Sequence, residues 1–325
     1  MPQGEDNLEV VIWCDKARQG LVGEVIGELG RVSVLGVGGP VSSPPAELAE
    51  RLKVDVGRDL RKLVIDQPAR VALLAVEKAP GVEQVAEAAD RCDLVLTTDL
   101  LAEGLDAAAA LREELGERLG RVILAPRFSE GPGMLGANEP WEVLGEPRLA
   151  VIEFDAPAET TRLVTSLYHA WLSALEALPM PDEVHASLVH GRYEPGKVLS
   201  GSLAISGRSP GRGAGLLAVS DQTSRWDRRL RLTGPGGSLV VTDEGYTLHN
   251  DSGGVIDAHP GPMAGASQAV LIARSLLRAL DQSTYPHEQE PTAQRVLACC
   301  EATLLSLRTG QAENPGKLLN LGMPL

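Results

Sequence analysis

The sequence predicts two fold classes in succession: an α/β first half built on a parallel sheet, and an α+β second half built on a large, mostly antiparallel sheet. Three observations carry this. Short β-rich runs alternate with helix-length stretches up to about residue 125, a Gly/Pro-rich stretch over 126–147 breaks the alternation, and one long helix is then followed by strand-like runs with Gly-rich turns. Parallel strands need long crossovers, whereas antiparallel strands in series are joined by turns.

Residues 8–13 form the first β-rich run, followed by a polar turn and an apolar-periodic helix over 21–29. A second run over 32–37 closes on Gly38-Gly39-Pro40, and the alternation continues with helices over 46–53, 82–91 and 102–119 and strands over 70–76, 94–97 and 121–125. This series predicts a doubly wound sheet with helices on both faces. The expected first domain is 1–127. The second, 128–325, is expected to open with a strand over 149–155 and a helix over 160–178. Strands over 184–191, 201–206, 215–220, 229–233, 238–242 and 245–250 follow, with helices covering one face of their sheet. Closing helices over 264–280 and 292–307 are free to pack back on the first domain.

Composition narrows the function. At 325 residues and 43% hydrophobic, the chain has material for two buried cores. Its net charge of −14 repels a phosphate backbone, and 2 Phe, 4 Trp and 4 Tyr leave few stacking platforms, so nucleic acid is excluded as a partner. Cys14, Cys92, Cys299 and Cys300 lie in apolar surroundings without CxxC spacing, which predicts reduced, buried thiols, no metal centre and a cytoplasmic location. The start lacks a basic, apolar leader and no run is long enough to span a bilayer, so neither export nor a membrane is expected.

Several segments, taken in order, resemble the Gfo/Idh/MocA oxidoreductases, typified by glucose-fructose oxidoreductase and inositol dehydrogenase. Leu144-Gly145-Glu146-Pro147-Arg148-Leu149 resembles the opening of that family's second domain. The stretch from His169 through Leu178 to Pro181-Asp182-Glu183-Val184-His185-Ala186 resembles its histidine-bearing helix and the strand after it. Arg231 to Leu239 resembles a hairpin of its large sheet, and Leu305-Ser306 with Arg308-Thr309-Gly310 its closing helix. The resemblance implies a Rossmann-like first domain that binds NAD or NADP and a second domain that holds a sugar or polyol substrate.

The residues that would perform this chemistry are replaced. A dinucleotide needs a Gly-rich turn after the first strand so that the backbone can approach the diphosphate. Trp13 and Asp15 stand at the first two glycines, so an indole is expected to fill the turn and a carboxylate to face the phosphates; Lys16 and Arg18 are either solvated turn charges or an anion site of different geometry. The second strand ends in Leu35-Gly36-Val37-Gly38-Gly39-Pro40, with no acid for the adenosine ribose, and the Gly38 run reads as a turn more than a phosphate loop. Aligning the family's Glu-Lys-Pro motif places Thr98, Asp99 and Leu100 there, so the catalytic cation becomes an anion. Glu77-Lys78-Ala79-Pro80, one strand earlier, makes Lys78 a relocated acid/base or a surface charge. On the second-domain helix His169 survives, while Thr165 replaces the aspartate four residues before it.

Other clusters carry less chemistry. His249, Asp251, Asp257 and His259 read as loop residues without ligand spacing. The loop 206–212 and the strand bearing Arg225, Arg228, Arg229 and Arg231 read as an anion-recognising surface or as cross-strand ion pairs with Asp221 and Asp227. The expectation is a catalytically degenerate oxidoreductase-like protein with no cofactor and a binding, regulatory or subunit role. A homodimer or heterodimer through the C-terminal sheet and a small-molecule ligand in the interdomain cleft are its expected partners. The alternative is an active NAD(P)-dependent enzyme using His169 and Lys78.

Overall fold

A computed structural model of the chain describes residues 7–209, 211, 213–260, 267–281 and 290–321. The first run of elements is β1 (Leu8–Cys14), α1 (Gln19–Leu29), β2 (Val32–Gly38), α2 (Ala46–Leu52), β3 (Val56–Gly57), α3 (Leu60–Asp66), β4 (Val71–Ala75), α4 (Val82–Arg91), β5 (Leu94–Thr97), α5 (Leu105–Leu115) and β6 (Val122–Leu124). Next come α6 (Pro132–Gly136), α7 (Asn138–Leu144), β7 (Leu149–Pro157), α8 (Leu163–Ala177), β8 (Glu183–Glu194), β9 (Val198–Ser209), β10 (Gly213–Ser220) and β11 (Gln222–Gly234). The chain closes with β12 (Gly237–Thr242), β13 (Tyr246–His249), β14 (Val255–His259), α9 (Gln268–Asp281), α10 (Glu290–Thr309) and α11 (Pro315–Leu321).

Two compact units result. Described residues 7–102, 107–126 and 267–281 belong to the first, and those within 103–106, 127–260 and 290–321 to the second. The first unit therefore draws α9 from far along the chain.

In the first unit a parallel sheet runs β3-β2-β1-β4-β5-β6. The period-2 alternation of β1 sorts its side chains onto two apolar layers. Val10, Ile12 and Cys14 pack with Leu21, Val22 and Val25 of α1, Leu48 of α2 and Ile272 and Leu276 of α9. Val11 and Trp13 pack on the opposite face with Leu60, Leu63 and Val64 of α3 and Val85 and Ala88 of α4. Helix α3 lies outside the elements expected from the sequence. It begins where the Asp59 carboxylate accepts from the amides of Arg61 and Lys62, at 2.9 and 3.5 Å, an N-cap that satisfies two otherwise orphaned donors.

The second unit is a sheet ordered β14-β13-β12-β11-β7-β10-β9-β8, antiparallel at every described pairing except β7 with β10. Ala150, Ile152 and Phe154 of β7 face inward. On that side the Trp171 indole of α8 donates to Thr303 Oγ1 of α10 at 3.0 Å, and Ala186 N of β8 donates to Ser306 Oγ at 3.0 Å. Residues 255–259, read as loop from the sequence, form a further strand, and 315–321 form a short helix. The start of the helix expected over 264–280 lies partly outside the described residues.

Candidate functional site

In a doubly wound sheet the ligand crevice opens at the carboxyl ends of the strands where strand order reverses. Here that point lies between β1 and β4, and Asp15 occupies it: its amide donates to Ala75 O at 3.2 Å. The Asp15 carboxylate accepts from the amides of Arg18 at 3.1 Å and Glu77 at 2.6 Å. It thus ties the β1–α1 turn to the β4–α4 loop. A helix N-terminus attracts an anion, and at α1 the chain supplies its own.

The Arg18 guanidinium is buried between two acids. Nη1 lies 3.0 Å from Asp15 Oδ2, while Nε and Nη2 lie 3.1 and 2.9 Å from Asp99 Oδ2. Asp99 follows β5, held by its own amide and carbonyl against Thr97 Oγ1 at 3.4 and 2.7 Å. All three residues are buried, so each charge depends on the others to offset desolvation. Arg18, Asp15 and Asp99 therefore form one cluster at the mouth of the crevice. Sequence reasoning named all three positions and missed their association.

Trp13 requires a correction. Its indole does not enter the turn; strand alternation sends it into the apolar layer with Val11 and α3. It determines the neighbouring glycine instead, since a Cβ on Gly38 would lie 2.7 Å from Trp13 Cε3. Gly36 and Gly38 lie within β2, so the Gly38 run is strand up to that point and not a phosphate loop. At Gly39 a Cβ would meet Cys14 O at 2.2 Å and Pro45 Cδ at 2.6 Å. Beside this contact, Lys16 N donates to both Ser43 Oγ and Ser43 O at 3.1 Å. The β2–α2 connection is thereby fastened to the end of β1, while the Lys16 side chain is exposed.

Lys78 is exposed on the β4–α4 loop and makes no hydrogen bond or ion pair among the described residues. Thr98 is buried, with its amide donating to Leu74 O at 3.0 Å and its hydroxyl without a partner. Burial pushes the Cys14 thiol up to about 12, with help from the Asp15 charge, which makes it inert at neutral pH. All four cysteines are free and buried.

In the second unit His169 is buried on α8, and its Nδ1 has no hydrogen-bond partner, so the local bond expected for a helix histidine is absent at that atom. Burial, and then the positive Arg228 and Arg127, push its pKa down to about 3, so the ring is neutral at physiological pH. Thr165, one helical turn earlier, is fully buried, with its amide donating to Arg162 O at 2.9 Å.

The arginines of β11 do not share a face. Arg228 points inward, with Nε 3.1 and 3.0 Å from the two Asp243 oxygens and Nη2 2.6 Å from Oδ1. Its guanidinium carbon lies 4.8, 5.3 and 5.8 Å from the ring centroids of Trp226, Phe128 and Phe154. Arg229 points outward to Glu153 at 3.6 Å, and Asp221 accepts from the Gly201 amide at 2.8 Å. Arg208 of the 206–212 segment pairs with Glu183 at 2.8 Å; residues 210 and 212 lie outside the described residues. Among the described residues no group of three or more His, Cys, Asp or Glu is placed to hold a metal ion, and no helix is long and apolar enough to cross a membrane.

No protein-family model matches the chain, and no curated protein matches it. Solved structures do. GenD2 from gentamicin A biosynthesis, determined in complex with NAD, is 19% identical, covers 97% of this chain and 99% of its own, and superposes with a TM-score of 0.68. An oxidoreductase from Agrobacterium radiobacter, determined with NAD+, L-tartaric acid and magnesium, is 14% identical over 96% and 99% of the two chains, with a TM-score of 0.71. A myo-inositol dehydrogenase from Corynebacterium glutamicum is 16% identical over 95% and 98%, with a TM-score of 0.65. Over its described residues the chain carries the two-domain fold of Gfo/Idh/MocA-type dehydrogenases.

Proposed function

We propose that this chain is a dehydrogenase-fold protein whose dinucleotide crevice is taken up by its own ion cluster, and that it works as a non-redox binding, regulatory or subunit protein. The observation that carries this is the Arg18 guanidinium clamped between Asp15 and Asp99 at the switch point of the first sheet. A diphosphate there needs backbone donors, space and positive potential. The Arg18 and Glu77 amides already serve Asp15, the Lys16 amide serves Ser43, and Gly39 abuts Cys14 O. The cluster carries one cation against two anions. These residues do not fit NAD or NADP. His169 adds nothing to acid/base chemistry near neutrality, because its ring stays neutral down to about pH 3.

The test is a titration with NADH and NADPH followed by melting temperature and tryptophan fluorescence. A dinucleotide at one hundred times its dissociation constant would stabilise the fold by about 2.7 kcal/mol; the expected result is no shift at millimolar nucleotide. Replacing Asp15 and Arg18 together by glycine is expected to create measurable affinity. The competing reading, an active NAD(P)-dependent oxidoreductase acting on a sugar or polyol hydroxyl, is supported by the fold shared with chains solved with NAD. Saturable nucleotide binding with polyol turnover would establish it. A subunit role draws on the second sheet, through a homodimer or a heterodimer.

A further inference from the structure

No lysine or arginine occurs over residues 128–147 or 232–260, the two stretches that build the corner of the second unit where α6 and α7 meet β12, β13 and β14. Close contacts hold this corner together. A Cβ on Gly133 would lie 1.9 Å from Thr242 O, one on Gly136 3.3 Å from Tyr246 Cε1, and one on Gly236 2.1 Å from Val143 O. Its charge is all acidic: Glu139 and Glu142 on α7, Asp251 in the β13–β14 turn and Asp257 on β14 are exposed, and none is in an ion pair among the described residues. The Tyr246 hydroxyl donates to Asp257 Oδ2 at 2.9 Å. That bond, then desolvation and the charges of Asp257 and Glu139, push the phenol pKa upward.

The same corner leaves large apolar side chains in water. Leu135 of α6 is 45% exposed, Val143 of α7 58%, and Val255 and Ile256 of β14 62% and 52%; these are four of the eleven large apolar side chains exposed among the described residues. Scattered singly they would need no explanation, but gathered at one place they mark an interaction surface. β14 pairs with β13 alone among the described strands and is exposed at every position. Charge decides what covers this surface. Two copies meeting corner to corner would set acids against acids, and a nucleic acid is repelled for the same reason. A segment that mixes lysine or arginine with apolar residues satisfies both features, because a long cationic side chain lays its stem on apolar surface while its head reaches a carboxylate.

We infer that this corner docks a basic, apolar segment of a partner protein. The inference rests on the binding role proposed above and names the chemistry of its partner. The test titrates the full chain into a fluorescein-labelled peptide of alternating lysine and leucine, followed by fluorescence anisotropy. Saturable binding that weakens as salt rises is expected, while a peptide of alternating glutamate and leucine should not bind. Glu139→Lys with Asp257→Lys, and separately Val255→Ser with Ile256→Ser, should each weaken binding by about tenfold or more; all four side chains are exposed, and circular dichroism verifies folding. Glu24→Lys with Glu28→Lys, both exposed on α1, removes the same charge elsewhere and should change affinity by no more than about twofold. An equal loss from the α1 pair would show attraction to net charge alone and overturn the site, as would a wild type that does not bind the lysine–leucine peptide. Unchanged affinity in the serine variant would overturn the apolar contact. If sedimentation shows a wild-type dimer that the serine variant dissociates, the occupant is a second copy and the inference falls. Nucleotide binding by the same preparation would overturn the cofactor-free reading without touching the peptide result.

Discussion

Arg18 and Arg228 are both buried guanidiniums held by aspartate, yet they sit in unlike surroundings. Arg18 lies at the start of a crossover, between two acids, one of which, Asp15, loop amides also serve. Arg228 lies within a strand, against one acid and three aromatic rings. The first occupies a place where the fold leaves donors and space for a ligand; the second fills the interior of a sheet-and-helix layer. A buried charge pair therefore needs its location stated before a role is given to it, because burial alone does not separate a closed binding site from a core contact.

Substitutions sharpen the contrast. Arg228→Ala leaves the Asp243 carboxylate with the Trp226 Nε1 donor, 3.0 Å away, and empties the space between the rings; unfolding in urea should show a loss of about 5 kcal/mol. Arg228→Lys should recover little of it, since an ammonium offers neither the fork nor the flat face. Arg18→Met should cost less, about 3 kcal/mol, because Asp15 keeps the Arg18 and Glu77 amides. Equal losses at the two sites would break the comparison.

The folded His169 pKa is depressed to about 3 from the ordinary 6.5, so the unfolded chain binds more protons between those values. Its contribution is complete above pH 6.5 and is lost as pH falls toward 3, at up to about 1.4 kcal/mol per pH unit. Denaturation of His169→Gln at pH 7, 5.5 and 4.5 should show a shallower fall than the wild type; an unchanged slope would assign the acid sensitivity elsewhere. Lys78→Met should be the mildest, within about 0.5 kcal/mol, and any larger effect on stability would show a contact that its exposed position does not suggest.

The sequence carried the architecture because alternation and crossover length are local signals. Four of the five helices of the first run are legible from periodicity; α3 is not, because its buried apolar set is only Leu60, Leu63 and Val64 within seven residues and its start is marked by the Asp59 cap alone. β3 spans two residues and offers no period at all. At the site, the substitutions at positions 15, 18 and 99 were visible one by one. Their union was not: nothing local links a cation after β1 to an anion after β5. Trp13 was misplaced for a different reason. The resemblance set it in the turn, while its alternation with Val11, already present in the sequence, sends it to the core.

The parallel pairing of β7 with β10 has a consequence for assembly of the chain. β7 bonds Leu149 to Ala214 on one side and Thr233 on the other, so neither of its edges finds a neighbour until α8, β8 and β9 have been made. During synthesis the strand that becomes the centre of the sheet emerges with both flanks open, and long-range closure of this kind slows folding and prolongs exposure to aggregation. Chaperone dependence of the nascent chain should therefore concentrate in the interval between the appearance of β7 and that of β11.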